Sequence, residues 1–402
     1  MSVVWLINQY GVRNTINPFH RHNEIAGLLA EKGHEVTVFC SASHHLNKSL
    51  DVFTDKPASK FKTHLIPTIS YKSSTSKRRV IAWFVFAWKL FRLDLENFRT
   101  PDLILISSPS PISYLGAEWL ARATGAKLIF EFRDIWPASL VQVGRIHPLH
   151  PFVVFLSWIE KRALSNSRYI FSTLEGGAEY VESRIGRPCD HTWAPNSCRT
   201  YNKRNSLVSL KDIDPEPPIP EGIFVAGYAG SMGEANAVDH IIDAAILMRA
   251  RKDILFVLMG TGSTESYLKK KAAEHNLKNV LFLAQLPIEK ARIVIERFNV
   301  ALLCWKDLEI YDYGTSANKL CSYLEARVPI VQSFSGGFDR VANMGLGVSV
   351  KSNDPQAFAN AIIRVKHMSA SSIKGIKRNI DKAVKLYSYK NTVKAIEGIL
   401  ED

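Results

Sequence analysis

Four stretches of this sequence carry residue types that could hold a phosphorylated or hydroxyl-rich ligand. Gly227-Tyr228-Ala229-Gly230-Ser231-Met232-Gly233 is a glycine-rich exit from an apolar run, with a helical pattern behind it. Glycines there let backbone N–H groups approach an anion at the start of a helix. Gly260-Thr261-Gly262 stands in the same place after the next apolar run, and Gln9-Tyr10-Gly11, with Arg13 behind it, after the first. A plain strand-to-helix turn would give the same pattern at either place. Arg133-Asp134 directly follows the run ending at Phe132, which puts the pair at the carboxyl edge of a sheet, where ligands bind. A structural ion pair is one reading; the other makes Asp134 a binder of hydroxyls or a base that orients a reacting group, with Arg133 beside it. No paired carboxylates are placed to hold a cation, and the five scattered cysteines form no CxxC pair, so no zinc site or disulfide framework is expected.

These loops need strands and helices to aim them. Apolar runs at 3–8, 35–40, 103–107, 127–131 and 169–172 read as strands, with helical stretches at 19–32, 112–124 and 152–164 between them. A second series has strands at 224–228, 254–259, 280–282, 300–304 and 330–332. Its helices fall at 237–249, 264–275, 287–298, 319–327, 354–366 and 370–388. Strands alternating with helices imply parallel sheets covered on both faces. The expected architecture is α/β: a Rossmann-like domain over 1–195, a polar, proline-rich linker over 196–222, a second Rossmann-like domain over 223–380, and a C-terminal helix over 381–402 that packs back on the first domain. Two such domains would face an interdomain cleft, the default site for a ligand.

At 402 residues, 46% hydrophobic and 22% charged, the chain suits two globular domains. Its net charge is +13, and nine Lys or Arg with no Asp or Glu fall between Lys56 and Arg92. Inside that stretch residues 80–91 (VIAWFVFAWKLF) are apolar and aromatic. As a helix they would rise only about 18 Å, too short to span a bilayer. They form either a buried helix or an interfacial one, with Lys77, Arg78 and Arg79 at anionic lipid and Trp83 and Trp88 among the headgroups. No motif favours nucleic acid. The first residues lack a basic region before their apolar run, so they read as a strand, and a cytoplasmic protein is expected.

Six ordered segments resemble one family: LINQYG, RHNEIAGLLAEKGHEVTV, FEFRDIWP, GYAGSMGEANAVDHIIDAA, FVLMGTG and NKLCSYLEARVPIV. Together they look like glycosyltransferase family 4, retaining enzymes of the GT-B fold, and most like its branch that builds bacterial O-antigen and capsular polysaccharide. That resemblance implies a nucleotide-sugar donor, UDP-linked in preference, and a lipid-linked glycan acceptor. It implies no cofactor and no metal, and a peripheral position on the inner face of the cytoplasmic membrane. Donor contacts would fall to Gly11, Gly230, Ser231, Gly260 and Gly262, and to Tyr313, Asn318 and Lys319, with the base near residues 283–286. Asp134 and Arg133 would handle the donor sugar or the acceptor. The family's two glutamates fall here on Gly314 and Ser322, which leaves Ser322 in a catalytic slot. Glu234, Ala235 and Asn236 replace the usual basic residue after the glycine loop, so Lys319 is expected to supply the charge. Two other readings remain: a GT-B sugar-nucleotide epimerase, and a degenerate transferase that only binds.

Overall fold

The computed structural model describes residues 1–12, 20–43, 60–71, 76–108, 111–198 and 218–402. Arg13, Lys56 and most of the expected linker (199–217) lie outside them. The chain divides into two compact units, Met1–Asn196 with Tyr389–Asp402, and Ser197–Ser388.

The first unit is built on seven parallel strands: β1 Val3–Ile7, β2 Glu35–Ser41, β3 Lys62–Ile66, β4 Leu103–Ser107, β5 Lys127–Phe132, β6 Tyr169–Ser172 and β7 Asp190–Trp193. Their order is β3-β2-β1-β4-β5-β6-β7. Around them lie α1 Arg21–Glu31, α2 Arg78–Phe91, α3 Ser113–Thr124, α4 Ala138–Gln142, α5 Pro151–Asn166 and α6 Gly177–Ile185. The central strands β1 and β4 are buried throughout, as their unbroken Val/Leu/Ile runs require of a sheet covered on both faces. Gly125 closes α3 in the left-handed region (φ 74°), where glycine carries no Cβ penalty.

The second unit has six parallel strands, β8 Phe224–Ala229, β9 Ile254–Met259, β10 Val280–Leu283, β11 Val300–Cys304, β12 Ile330–Ser333 and β13 Gly347–Val350, in the order β10-β9-β8-β11-β12-β13. Its helices are α7 Asp239–Leu247, α8 Glu265–Glu274, α9 Ile288–Ile295, α10 Asn318–Glu325, α11 Arg340–Asn343, α12 Pro355–Lys366 and α13 Ala370–Leu386. Asp354 caps α12 by accepting from the Ala357 N–H (2.8 Å), with Pro355 opening the helix. The last helix, α14 Tyr389–Glu401, belongs to the first unit and packs on α1 through Tyr389, Val393, Ile396 and Ile399. The chain therefore changes unit at Ser388, and residues 381–388 stay in the second.

In both units the strand order reverses direction beside the first strand, between β1 and β4 and between β8 and β11. Loops leaving these pairs part to opposite faces and open a crevice at the carboxyl ends. The loops after β1 and β8 fall on these switch points.

Candidate active site

In the first unit the loop after β1 folds back on itself. The Gly11 N–H donates to the Asn8 carbonyl (2.8 Å), and a Cβ on Gly11 would stand 2.7 Å from that of Cys40. Glycine is needed here for close packing, and its N–H is already used.

Helix α2 holds this loop from the side. Arg79 Nε donates to the Tyr10 hydroxyl (2.8 Å), its guanidinium lies over the Tyr10 and Trp83 rings (5.4 and 5.1 Å), and Gln9 Nε2 donates to the Ala82 carbonyl (3.2 Å). Trp83 is only 2% exposed and meets Trp136 edge-on at 5.4 Å. Two of the expected lipid contacts are thereby corrected: Trp83 is core, and the Arg79 head is bound inward. Lys77, Arg78 and Trp88 do face solvent.

Beneath the loop lies a buried ionic cluster. Arg21 pairs with Glu131 and donates to the carbonyls of Pro195 (2.8 Å) and Ala194 (2.9 Å), while Ser107 Oγ donates to Glu131 (2.6 Å). Burial alone would raise the Glu131 carboxyl, but Arg21, Arg133 and Ser107 hold it below the usual value. His22, hydrogen-bonded to Asn8 (2.9 Å), is pushed well below its ordinary value by burial and by His20, Arg133 and Arg21, so it stays neutral. None of Arg21, His22 and Glu131 was singled out in sequence. A carboxylate in the middle of Phe130-Glu131-Phe132 was the available signal, because a charge inside a strand must be paired.

Arg133 and Asp134 stand at the rim of this cluster. The Arg133 side chain reaches Asn196 only at 3.5 Å, and its Nε has no partner among the described residues. Asp134 forms no ion pair or hydrogen bond among them. It is exposed on one side and walled by a recess that includes Phe132, Trp136, Glu160 and Tyr180. That low-polarity surround raises its carboxyl, against the opposing pull of Arg133 and Arg79. The result is an unpaired carboxylate flanked by two guanidiniums, suited to binding hydroxyls or taking a proton.

In the second unit the two glycine loops touch backbone to backbone. A Cβ on Gly260 (φ 143°) would lie 2.0 Å from the Gly230 carbonyl oxygen, and one on Gly262 2.2 Å from that of Met232. Gly230 donates to Met259 (3.0 Å), Met232 to Thr261 (2.8 Å) and Thr264 to Met232 (3.0 Å). These bonds pin alternate residues, and the N–H groups of Ser231 and Gly233 between them have no acceptor among the described residues. Thr261 also fixes Gln285 (3.0 Å), inside the segment expected to hold the base.

Lys319, on the first turn of α10, reaches this loop. Its Nζ donates to the Tyr228 hydroxyl (3.0 Å) and to Asn236 Oδ1, and lies 4.7 Å from the Tyr228 ring centre. Tyr228 donates in turn to the Ser231 carbonyl (2.6 Å). The Tyr323 hydroxyl, also on α10, accepts from the Ala229 N–H (3.0 Å) and donates to the Leu302 carbonyl (3.2 Å), fixing the helix to the strand ends. Burial pushes the Lys319 ammonium down to about 8. Across the switch point Lys306 pairs with Glu234 (2.7 Å), so a second cation stands beside the loop where the sequence showed only an acid. Asn318 is exposed and Tyr313 half-buried before Gly314. Ser322 is one turn further along α10, and its hydroxyl makes no hydrogen bond among the described residues, so the structure does not bring it into the Lys319 cluster.

Residues 20–196 match the family described as glycosyl transferase 4-like domain, and residues 211–383 match glycosyl transferases group 1. No curated protein matches in sequence. Among solved structures the chain is similar to sucrose-phosphate synthase from Thermosynechococcus elongatus (15% identity, 100% of this chain and 98% of that one, TM-score 0.71). It is also similar to WaaG, a glycosyltransferase involved in lipopolysaccharide biosynthesis (15%, 98% and 100%, TM-score 0.66). A third is Anabaena HepE, solved with UDP and glucose (12%, 100% of both chains, TM-score 0.66).

Proposed function

The chain is a glycosyltransferase of the GT-B fold, and we propose that it transfers a sugar, with retention, from a UDP-sugar to a lipid-linked glycan at a membrane surface. Lys319 over the glycine loop is the observation that carries this reading. An ammonium and the unused N–H groups of Ser231 and Gly233 match the charge that gathers on a departing diphosphate. The bond from the anomeric carbon to the phosphate oxygen breaks and one to the acceptor oxygen forms on the same face. The acceptor proton passes to the leaving phosphate. UDP is the preferred donor nucleotide because HepE was solved with it.

Asp134, flanked by Arg133 and Arg79, is the group we assign to the sugar hydroxyls of the acceptor or to its orientation. We place the acceptor on a polyprenyl diphosphate, within O-antigen or capsule assembly, and the enzyme on the cytoplasmic face of the membrane. Among the described residues no helix is long and apolar enough to cross a membrane. With Lys319 and the backbone supplying the charge, we expect EDTA to leave turnover unchanged.

The test incubates the protein with radiolabelled UDP-sugars, with and without a polyprenyl-diphosphate-linked saccharide. Label moving to the acceptor supports the proposal. Donor isomerised without acceptor would make the protein an epimerase, and tight donor binding without either reaction a degenerate transferase.

A further inference from the structure

Seven of the eleven large apolar side chains that stand exposed among the described residues lie in one region of the first unit: Ile81, Phe84, Trp88, Trp119, Leu149, Val154 and Trp158. Three are on α2 at positions 81, 84 and 88, the spacing of a single helix face. Val154 and Trp158 repeat that spacing on α5, with Leu149 just before it. The two faces meet. Phe84 stacks on Phe155 at 5.9 Å and 15°, and Phe155 on Trp158 at 6.2 Å and 21°. On the far side of α2, Phe91 reaches Trp119 of α3 at 6.0 Å. Isolated exposed apolar residues are ordinary; a contiguous aromatic face across three helices marks a contact surface.

Charge selects the occupant. Residues 77–92 and 145–168 contain nine Lys or Arg and one acid, Glu160. Glu160 is buried and bonded to Tyr180 and Arg184, and Glu118 of α3 pairs with Arg122 and Arg162. The exposed acids beside α2 are Asp94 and Glu96, just past its end, so the basic residues still outnumber the acids across the face. Arg92 lies over the Trp88 ring (6.0 Å) and Arg162 over that of Trp158 (5.8 Å), which places cations beside the two most protruding indoles. Tryptophan with arginine at its edge suits the boundary between headgroups and acyl chains. Two copies meeting through this face would oppose like charges.

We infer that the joined faces of α2 and α5 form one docking surface for an anionic lipid bilayer, with Trp88 and Trp158 as its two anchors. This rests on the proposed membrane-bound acceptor, but extends the surface to a second helix that is distant in sequence and carries its own anchor. Lys77 and Arg78 at the start of α2 are then only one end of the surface.

The test uses full-length protein in vesicle flotation with phosphatidylcholine alone and with added phosphatidylglycerol. Wild type should float only with the acidic vesicles, lose binding in high salt, and show a blue-shifted tryptophan emission when bound. Trp88→Ser with Phe84→Ser should cut the bound fraction at least fivefold. Val154→Ser with Trp158→Ser should do the same, and Lys77→Glu with Arg78→Glu should also weaken binding. All three double variants should keep the wild-type melting temperature and nucleotide affinity. Full binding by the α5 variant would overturn the joined surface, as would no wild-type binding to acidic vesicles, or concentration-dependent dimers that the same substitutions abolish. Assaying the variants on a water-soluble acceptor separates the two claims. Loss of flotation with normal transfer supports both. Absence of transfer by wild type, with flotation intact, removes the transferase reading and leaves the surface.

Discussion

Lys319 and Asp134 are the two side chains on which the proposed chemistry turns, and each titrates away from its ordinary value. With the Lys319 ammonium lowered to about 8 by burial, its charge is largely present at pH 7 and lost as the pH rises through 8 to 9. A nucleotide-sugar diphosphate keeps its own charge over that range. Donor affinity should therefore fall above pH 8, and donor binding at pH 8 should take up protons, which calorimetry in buffers of different ionisation enthalpy would read directly. Lys319→Ala should raise the donor dissociation constant at least about tenfold, since a charge-assisted contact contributes about 1.5–3 kcal/mol. Unchanged affinity would remove Lys319 from the site. For Asp134 the active form is the carboxylate, so activity is lost as the pH falls through its raised value. Arg79 opposes that rise, and Arg79→Met should move the acidic limb of the kcat profile to higher pH. Asp134→Asn should lower kcat about 100-fold, the scale of a positioned acid–base group, with the melting temperature nearly unchanged. Near-normal turnover would return Asp134 to a structural role. Both residues were legible in sequence, because each follows a strand or opens a helix. Their partners were not. Nothing in the sequence marks the hydroxyls of Tyr228 and Tyr323, which only the fold brings to the loop, while Arg21 meets Glu131 across 110 positions.

Among the elements, the crossing of the loops after β8 and β9 is tightly constrained. Gly260→Ala adds a Cβ 2.0 Å from a carbonyl oxygen at a φ that disfavours side chains. Stability should drop by about 2 kcal/mol or more, with donor affinity falling in parallel; a variant that melts and binds like wild type would contradict the backbone contact. The strands of both sheet centres were legible as apolar runs. Three strands were not: β3 (KTHLI), β7 (DHTW) and β13 (GVSV) are short or polar and lie at sheet edges, where one side has no neighbour to demand apolar residues. Helix α2 was legible as a helix, yet its two faces were not told apart. Trp83 and Trp88 are equally apolar, and the difference between core and surface comes from α3 and the β1 loop packing on one side.

For the whole molecule, the two units make separate predictions. The C-terminal α14 lies in the first unit although the chain reaches it from the second. A truncation after Ser388 would uncover the α1 face that Tyr389, Val393, Ile396 and Ile399 cover, removing about 5 kcal/mol or more of apolar burial. The first unit should melt much earlier while nucleotide affinity, which we assign to the second, persists. Equal loss of both would show that the units do not fold separately. The two-domain plan was legible from the repeated alternation of strand and helix, and a C-terminal helix returning to the first domain was expected, though from 381 rather than Tyr389. The helix expected over 370–388 ends within two residues of the end of α13, whereas the separate C-terminal helix was expected from 381 and begins at Tyr389.

The stereochemistry of the new glycosidic bond tests the central claim most directly. Proton NMR of the first product formed from an α-linked UDP-sugar and a soluble acceptor analogue reads the anomeric coupling before any rearrangement. The account predicts an α-linkage, absent or strongly reduced with Lys319→Ala. A β-linkage would contradict the same-face chemistry assigned to the leaving diphosphate, and no product with any UDP-sugar would contradict the assignment as a UDP-dependent transferase.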